Sequence, residues 1–315
     1  MNAVVRFDDV YRHFGEREVL RGLTFSVEPG EIYAFLGRNG AGKTTALRIL
    51  LGFLAPHHGR SEVLGEDSLT MPAALRARIG YVGEGHRLYT LMRVCDAVDF
   101  EEGTRPGFRR NFAERAIQRC GLTPKQRIYS LSRGQRAQLA LVLAVAEKPD
   151  VLIFDDPAMG LDVVMRREFL DAMIDVLSGE GTSVLFSSHI LTDVERIADR
   201  IGLLHDGRML IDADLEEVKG RFLKYVWTPG AGRPETGPPD VPGLVRERRR
   251  REGFDLLFLD VDETAEARLR ADGARLSPPI RPNLEELFLD LIGPEQTGIL
   301  SEPILEMSEK REVSS

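Results

Sequence analysis

The chain has 315 residues, 43% of them hydrophobic and 29% charged, with a formal net charge of −8. That is enough for one large domain and a smaller one with real cores, and the acidic balance argues against a general nucleic-acid binder. The two cysteines, Cys95 and Cys120, exclude a disulfide framework and a cysteine-bound metal, and fit reduced thiols in a cytosolic protein.

The chain opens with strands. Val4, Val5 and Phe7 begin one, and Leu23, Phe25 and Val27 alternate as a half-buried strand does. Tyr11 and Phe14 lie between them, with Phe14 just before Gly15. Met1 to Arg6 lack the apolar core of a signal peptide. No later run approaches the ~18 apolar residues of a spanning helix, so any membrane role is expected through a partner.

After the Pro29-Gly30 turn, Ile32 to Leu36 form a short apolar strand. It leads into Gly37-Arg38-Asn39-Gly40-Ala41-Gly42-Lys43-Thr44-Thr45, which fits the phosphate-loop pattern G-x-x-x-x-G-K-[ST]. Behind it Ala46, Leu47, Leu50, Leu51 and Leu54 recur at helical spacing. Glycines let the backbone wrap around phosphate oxygens, and a helix N-terminus adds free N–H groups and the positive dipole end. Lys43 can place a charge on the β- and γ-phosphates, and the Thr44 hydroxyl can ligate Mg²⁺. The stretch implies a bound nucleoside triphosphate.

Pro56 to Gly59 then reads as a loop and Ile79 to Val82 as a strand. Residues from about 90 to 147 carry helical patterns and suggest an inserted helical lobe. Within it Ser132 is a good N-cap for a helix through Leu139, Leu141, Leu143 and Ala144 that stops before Pro149. Val151 to Phe154 is a continuous apolar strand ending in Asp155-Asp156-Pro157, and Ser183 to Phe186 is another, ending in Ser187-Ser188-His189. Strands alternating with helices, with polar residues at their C-terminal ends, predict a parallel α/β sheet whose site lies at those ends. Adjacent carboxylates at a strand end are poor core residues unless something compensates them, and Mg²⁺ would.

Composition changes after about Gly220. Residues 228–242 hold Pro229, Pro234, Pro238, Pro239 and Pro242 and predict a linker. Phe254 to Val261 reads as a strand, and Asn283 to Leu291 as a helix with Leu284, Leu287, Phe288 and Leu291 on one face. The expected organisation is an ATP-binding-type domain over 1–220, a small α+β appendage over 221–292 and a disordered tail over 293–315. Arg246 to Arg251, five arginines and one glutamate, is either the solvated face of a hairpin or a contact for anionic lipid or nucleic acid.

Leu131-Ser132-Arg133-Gly134-Gln135 resembles the Leu-Ser-Gly-Gly-Gln signature of ATP-binding cassette (ABC) ATPases. The order of phosphate loop, signature, apolar strand with two acids, Gly160-Leu161-Asp162 and Ser188-His189 is also that family's. The resemblance covers about residues 3–220. It implies a P-loop NTPase core with a parallel sheet, an antiparallel N-terminal β part and the helical lobe, binding ATP and Mg²⁺.

Residue by residue, it implies that Phe14, with Tyr11 the second choice, stacks on adenine, and that Asp155 holds Mg²⁺ with Thr44. Asp156 stands at the catalytic base and His189 at the switch histidine that contacts the γ-phosphate. Glu84, at the usual Gln, links the metal and the attacking water to the helical lobe, and Asp162 communicates across a dimer. Ser132, Gly134 and Gln135 face the ATP of a second, homo- or heterotypic ATP-binding subunit. Arg133, Glu84 and Asp156 depart from the family's Gly, Gln and Glu.

Ile79-Gly80-Tyr81-Val82-Gly83-Glu84, Leu88-Tyr89, Met92-Arg93-Val94 and the helix at Leu284 to Leu289 resemble the exporter branch. That branch works with a separately encoded transmembrane permease, which would hold the chain peripherally on the inner face of the membrane. Gly83 to Val94 would line the groove for the permease's cytoplasmic helices. The alternatives are a non-transport ABC protein acting on ribosomes or DNA, against which stand the single cassette and the lack of heptads, and a regulatory cassette with weak hydrolysis.

Overall fold

The computed structural model describes residues 3–177, 181–230, 237–293 and 304–306. The chain divides into two compact units, Met1–Asp212 and Ala213–Ser315. In the first, β1 (Val5–Phe14), β2 (Arg17–Val27), β4 (His58–Val63) and β5 (Glu66–Asp67) form an antiparallel sheet in the order β2-β1-β4-β5. The alternation read in β2 is real: Leu23, Phe25 and Val27 are buried, and the Phe25 ring stacks on Phe7 at 4.7 Å. The loop expected over Pro56 to Gly59 is shorter than read, because β4 begins at His58. Only Ser61 and Val63 of β4 are buried, so it is held by backbone pairing to β1, Val5 opposite Val63, rather than by an apolar pattern.

The second sheet of this unit is built on β3 (Ile32–Gly37), with β6 (Ile79–Val82), β7 (Val151–Asp155), β8 (Ser183–Ser188), β9 (Arg200–His205) and β10 (Arg208–Asp214). Its order is β10-β9-β3-β8-β7-β6, and the β6–β7, β7–β8, β8–β3 and β3–β9 pairs are parallel. Every residue of β7 is buried, as expected of a parallel strand covered on both faces. Fully burying a side chain such as Phe154 contributes about 1.5–3 kcal/mol. Arg200, 2% exposed, donates to the Ser26 carbonyl and pairs with Asp212 at 2.7 Å, and the Tyr33 hydroxyl donates to the same carboxylate at 2.9 Å. The network ties β3, β9 and β10 together.

The phosphate loop is followed by α1 (Lys43–Leu50), and a one-turn helix α2 (Ala73–Arg76) precedes β6. The helical lobe contains α3 (Val94–Thr104), α4 (Arg110–Arg119) and α5 (Arg133–Val145) around Val98, Ile117, Leu139 and Leu143. Helices α6 (Val163–Leu177) and α7 (Leu191–Ile197) flank β8 in the chain. Among the described residues no helix is long and apolar enough to cross a membrane.

The second unit holds α8 (Leu215–Arg221) and an antiparallel sheet β12-β13-β11-β14 made of β11 (Phe222–Thr228), β12 (Leu244–Arg250), β13 (Gly253–Leu259) and β14 (Arg275–Leu276). Tyr225, Trp227, Leu256, Phe258 and Leu269 fill its core, with α9 (Glu263–Leu269) and α10 (Leu284–Ile292) completing the unit. The predicted face of α10 is buried at Leu284, Leu287 and Leu291, and Asn283 caps it through the Glu286 N–H at 2.8 Å. In the arginine run, Arg250 pairs with Asp255 at 2.6 Å and Arg249 lies over Phe254. Residues 231–236 of the expected linker, and nearly all of the expected tail, lie outside the described residues.

Candidate active site at the strand ends

The parallel register brings the functional residues together. Asp155 stands opposite Ser187 across β7 and β8, and Leu36 opposite Ser188 across β3 and β8. The phosphate loop and both acids therefore leave the sheet at one edge. Gly42 closes the loop at φ 118°, and a Cβ there would lie 2.8 Å from Leu20 Cδ2 and 2.9 Å from the Val19 carbonyl oxygen. Only glycine fits that approach to β2. No side chain caps α1 and no acidic residue sits in its first turn, so its N–H groups are open to an anion.

Lys43 is buried, and its Nζ donates to the carbonyls of Gly37 at 2.6 Å and Arg38 at 3.4 Å. Burial lowers its pKa, against the pull of Asp156 and Asp155. Asp155 Oδ1 accepts from the Thr44 hydroxyl at 3.1 Å and from the Ser187 hydroxyl at 3.0 Å. The Ser187 oxygen in turn accepts from the Asp156 N–H at 2.9 Å. Asp156 is held at φ 49°, a conformation uncommon outside glycine. Its Oδ2 lies 2.6 Å from His189 Nδ1, while its buried Oδ1 has no partner. Burial raises the Asp156 pKa, and His189 and Lys43 oppose that rise.

Lys43, Asp155, Asp156 and Ser187 line one cavity of about 420 Å³, and His189 stands outside its lining behind Asp156. Asn39, Gly40, Gly42, Lys43, Thr44 and Thr45 come from the loop and α1, and Glu84, Asp155, Asp156 and Ser187 from the strand ends. Phe14, Arg17, Val19 and Met159 complete it. Phe14 is half-exposed there with the Arg12 guanidinium 4.8 Å from its ring centre. Tyr11 does not line the cavity and packs edge-on against His58. The oxygen donors fit Mg²⁺: the Thr44 hydroxyl, the Asp155 carboxylate already hydrogen-bonded to it, and the Glu84 carboxylate in the same cavity. Among the described residues no cluster of three or more His, Cys, Asp or Glu could hold a metal unaided, as suits an ion that takes one or two carboxylates plus substrate phosphates.

The other predicted residues stand apart from this cavity. Gly37 and Arg38 contribute carbonyls to Lys43, and Ala41 is buried behind the loop. Ser132 and Gln135 form a capping box at the start of α5: the Gln135 N–H donates to Ser132 Oγ at 3.1 Å, and the Ser132 N–H to Gln135 Oε1 at 3.0 Å. A Cβ on Gly134 would fall 2.2 Å from Met165 Sδ, so helix packing alone already favours glycine there. Asp162 Oδ1 accepts from the N–H groups of Val164 and Met165 at 3.0 and 2.9 Å and caps α6. Ser187, Met159, Arg17 and Val19 are cavity residues that the motif reading did not select.

Ser187 bridges both acids, which makes its removal a direct test of their placement. Ser187→Ala should weaken Mg·ATP binding about three- to tenfold, because Asp155 loses one of its two anchors. It should also cost about 1–3 kcal/mol of stability through the unsatisfied Asp156 N–H. Calorimetry and urea unfolding measure the two effects separately.

The ABC transporter family profile matches residues 20–159. The Nod factor export ATP-binding protein I of Paraburkholderia xenovorans is 33% identical over 320 residues, covering 93% of this chain and 98% of that protein. The bacitracin transport ATP-binding protein of Enterococcus faecalis is 30% identical, over 71% of this chain and 74% of its own length. A daunorubicin resistance ATP-binding protein of Streptomyces coeruleorubidus is 29% identical, over 94% and 98%. Among solved structures, an ATP-binding subunit of an ABC transporter superposes with a TM-score of 0.62 at 25% identity, over 69% of this chain and 92% of that one. A dimeric cassette in a post-hydrolysis state bound to ADP and Pi shares the fold, with a TM-score of 0.58 at 22% identity, over 67% and 98%.

Proposed function

The chain belongs to the ABC transporter family of ATP-binding proteins, and from that membership we propose that it hydrolyses Mg·ATP to power a separately encoded membrane exporter. The observation that carries the chemistry is the meeting of phosphate loop, Asp155 and Asp156 in one cavity, joined through Thr44 and Ser187. The open N–H groups of α1 and the Lys43 ammonium are placed to take the β- and γ-phosphates. Thr44 and Asp155 would hold Mg²⁺, which supplies charge neutralisation on those phosphates. Asp156 takes the proton of the attacking water while the bond from the γ-phosphorus to the bridging oxygen breaks, and Lys43 faces the charge that develops on ADP. His189 fixes the Asp156 carboxylate.

Two cassettes complete the unit. The start of α5 lies outside the chain's own nucleotide cavity with Ser132 exposed, which supports a head-to-tail pair in which it meets the γ-phosphate held by the second subunit, homo- or heterotypic. Export is supported by the names of the Nod factor, bacitracin and daunorubicin relatives. The membrane subunit would dock on residues 83–94 and hold the chain at the inner face of the membrane.

That surface exposes Tyr89 and Leu91, the latter at 78%, and Tyr129 beside them donates its N–H to the Thr90 carbonyl at 2.9 Å. An apolar helix of a multi-span protein would cover these side chains. Leu91→Glu should reduce co-purification with the membrane subunit at least about tenfold while ATP affinity stays at the wild-type value. Retention equal to wild type would remove this surface from the proposal.

A further inference from the structure

Phe14 is the one aromatic ring among the described residues that line the nucleotide cavity, and it is half-exposed there. Arg12, just before it on β1, does not line the cavity. Its guanidinium lies over the Phe14 ring, 4.8 Å from the centroid. The ring therefore has a cation on one side and stands open to the cavity elsewhere. That cation is held from outside the strand: its Nη1 donates to the Ala55 carbonyl at 2.9 Å, while its buried Nε has no hydrogen-bond partner. Among the described residues no carboxylate pairs with it, so its charge acts on the ring without being neutralised. The segment that supplies Ala55 is itself fixed on β1. The His57 N–H donates to the Tyr11 carbonyl at 2.9 Å, the His13 N–H donates to His57 Nδ1 at 3.3 Å, and the two imidazoles stack at 3.7 Å.

We infer that Arg12 is a positioning residue for the base of the bound nucleotide, acting through the Phe14 ring that it covers. A half-exposed phenylalanine keeps rotamer freedom, and an ordered cation over its ring removes that freedom before the base arrives. The charge also acts across the ring. Aromatic faces are negative, so two stacked π-systems repel electrostatically; a cation on the far face draws the ring electrons toward itself and weakens that repulsion. Ala55 extends the arrangement to the phosphate end. It follows α1, whose N-terminus opens on the phosphate loop, so a single helix joins the phosphate end of the cavity to the brace of its base end. This role rests on the reading of the cavity as the ATP site.

The test titrates the full chain in a calorimeter with Mg·ATP and, separately, with magnesium tripolyphosphate, which carries the phosphates and no base. Arg12→Met keeps the length and removes the charge and the N–H groups. It should raise the ATP dissociation constant about three- to fivefold and leave that of tripolyphosphate unchanged. Arg12→Lys, which keeps a cation over the ring, should weaken ATP less than about twofold. Phe14→Ala should weaken ATP about tenfold, and in that background Arg12→Met should have no further effect, because the ring through which it acts is gone. An Arg12→Met variant that binds ATP as wild type does, or that loses ATP and tripolyphosphate alike, would overturn the role. So would an Arg12→Met loss that persists undiminished in Phe14→Ala. Wild-type protein that binds neither ATP nor tripolyphosphate would overturn the nucleotide reading instead.

Discussion

Lys43→Ala should lower Mg·ATP affinity by at least about a hundredfold while leaving the fold in place. Without nucleotide, the Lys43 ammonium is occupied by the Gly37 and Arg38 carbonyls inside the loop. It is the cation that the loop itself carries toward the phosphates. Two unit charges 4 Å apart attract by about 4 kcal/mol at an effective dielectric of 20, and a hundredfold in affinity needs only about 2.7 kcal/mol. The Gly37 carbonyl loses its partner in the variant, at a cost near 1 kcal/mol that a folded domain tolerates. Calorimetry reads the affinity and thermal unfolding the stability. Affinity equal to wild type in a folded variant would remove the site.

What the chain discloses before folding depends on how strongly physics narrows each position. The phosphate loop is legible because three glycines, a lysine and a threonine at fixed spacing have few other uses. Strand β7 is legible because a parallel strand covered on both faces must be apolar throughout, and Val151 to Phe154 is. Strand β4 was hidden: with two buried side chains and four exposed or half-exposed ones it carries no pattern, and its place comes from pairing with β1. Strands β9, β10 and β11 are harder to see in the sequence because their burial is set by partners distant along the chain, as Arg200 shows by being buried with Asp212 and Tyr33 around it.

The site divides in the same way. Lys43, Thr44, Asp155 and Asp156 announce themselves as motif residues. Ser187 does not, since a serine after an apolar strand is common and its value lies in standing opposite Asp155 across the sheet. Gly134 and Asp162 show the reverse case. Each stands at a family position, and each also has a local task, against Met165 and at the start of α6, that would select the same residue type without any ligand.

With Asp156 as the proposed base, its replacement should give the largest change in rate. Aspartate is one methylene shorter than the family's glutamate, so on an unchanged backbone its carboxylate is set back by about one C–C bond, ~1.5 Å. A displacement of about 1 Å in a general base can cost on the order of 10²-fold. The structure works against that loss at one point: His189 holds Oδ2 at 2.6 Å, leaving Oδ1 buried with no partner of its own. An unpaired buried carboxylate oxygen is what a proton acceptor needs. Burial also raises the Asp156 pKa. Because the base works only when ionised, the acid limb of the rate profile should lie above the ordinary aspartate range and the rate should rise with pH through it. Asp156→Glu should match or exceed the wild-type rate. Asp156→Asn keeps the size and removes the base, so hydrolysis should fall at least about a hundredfold while ATP binding persists and the closed dimer accumulates. Steady-state phosphate release with the membrane partner present, together with light scattering in Mg·ATP, reads both effects. An Asp156→Asn rate equal to wild type would show that Asp156 is not the base, and the chain would then be better described as a regulatory cassette that closes on ATP and scarcely hydrolyses it.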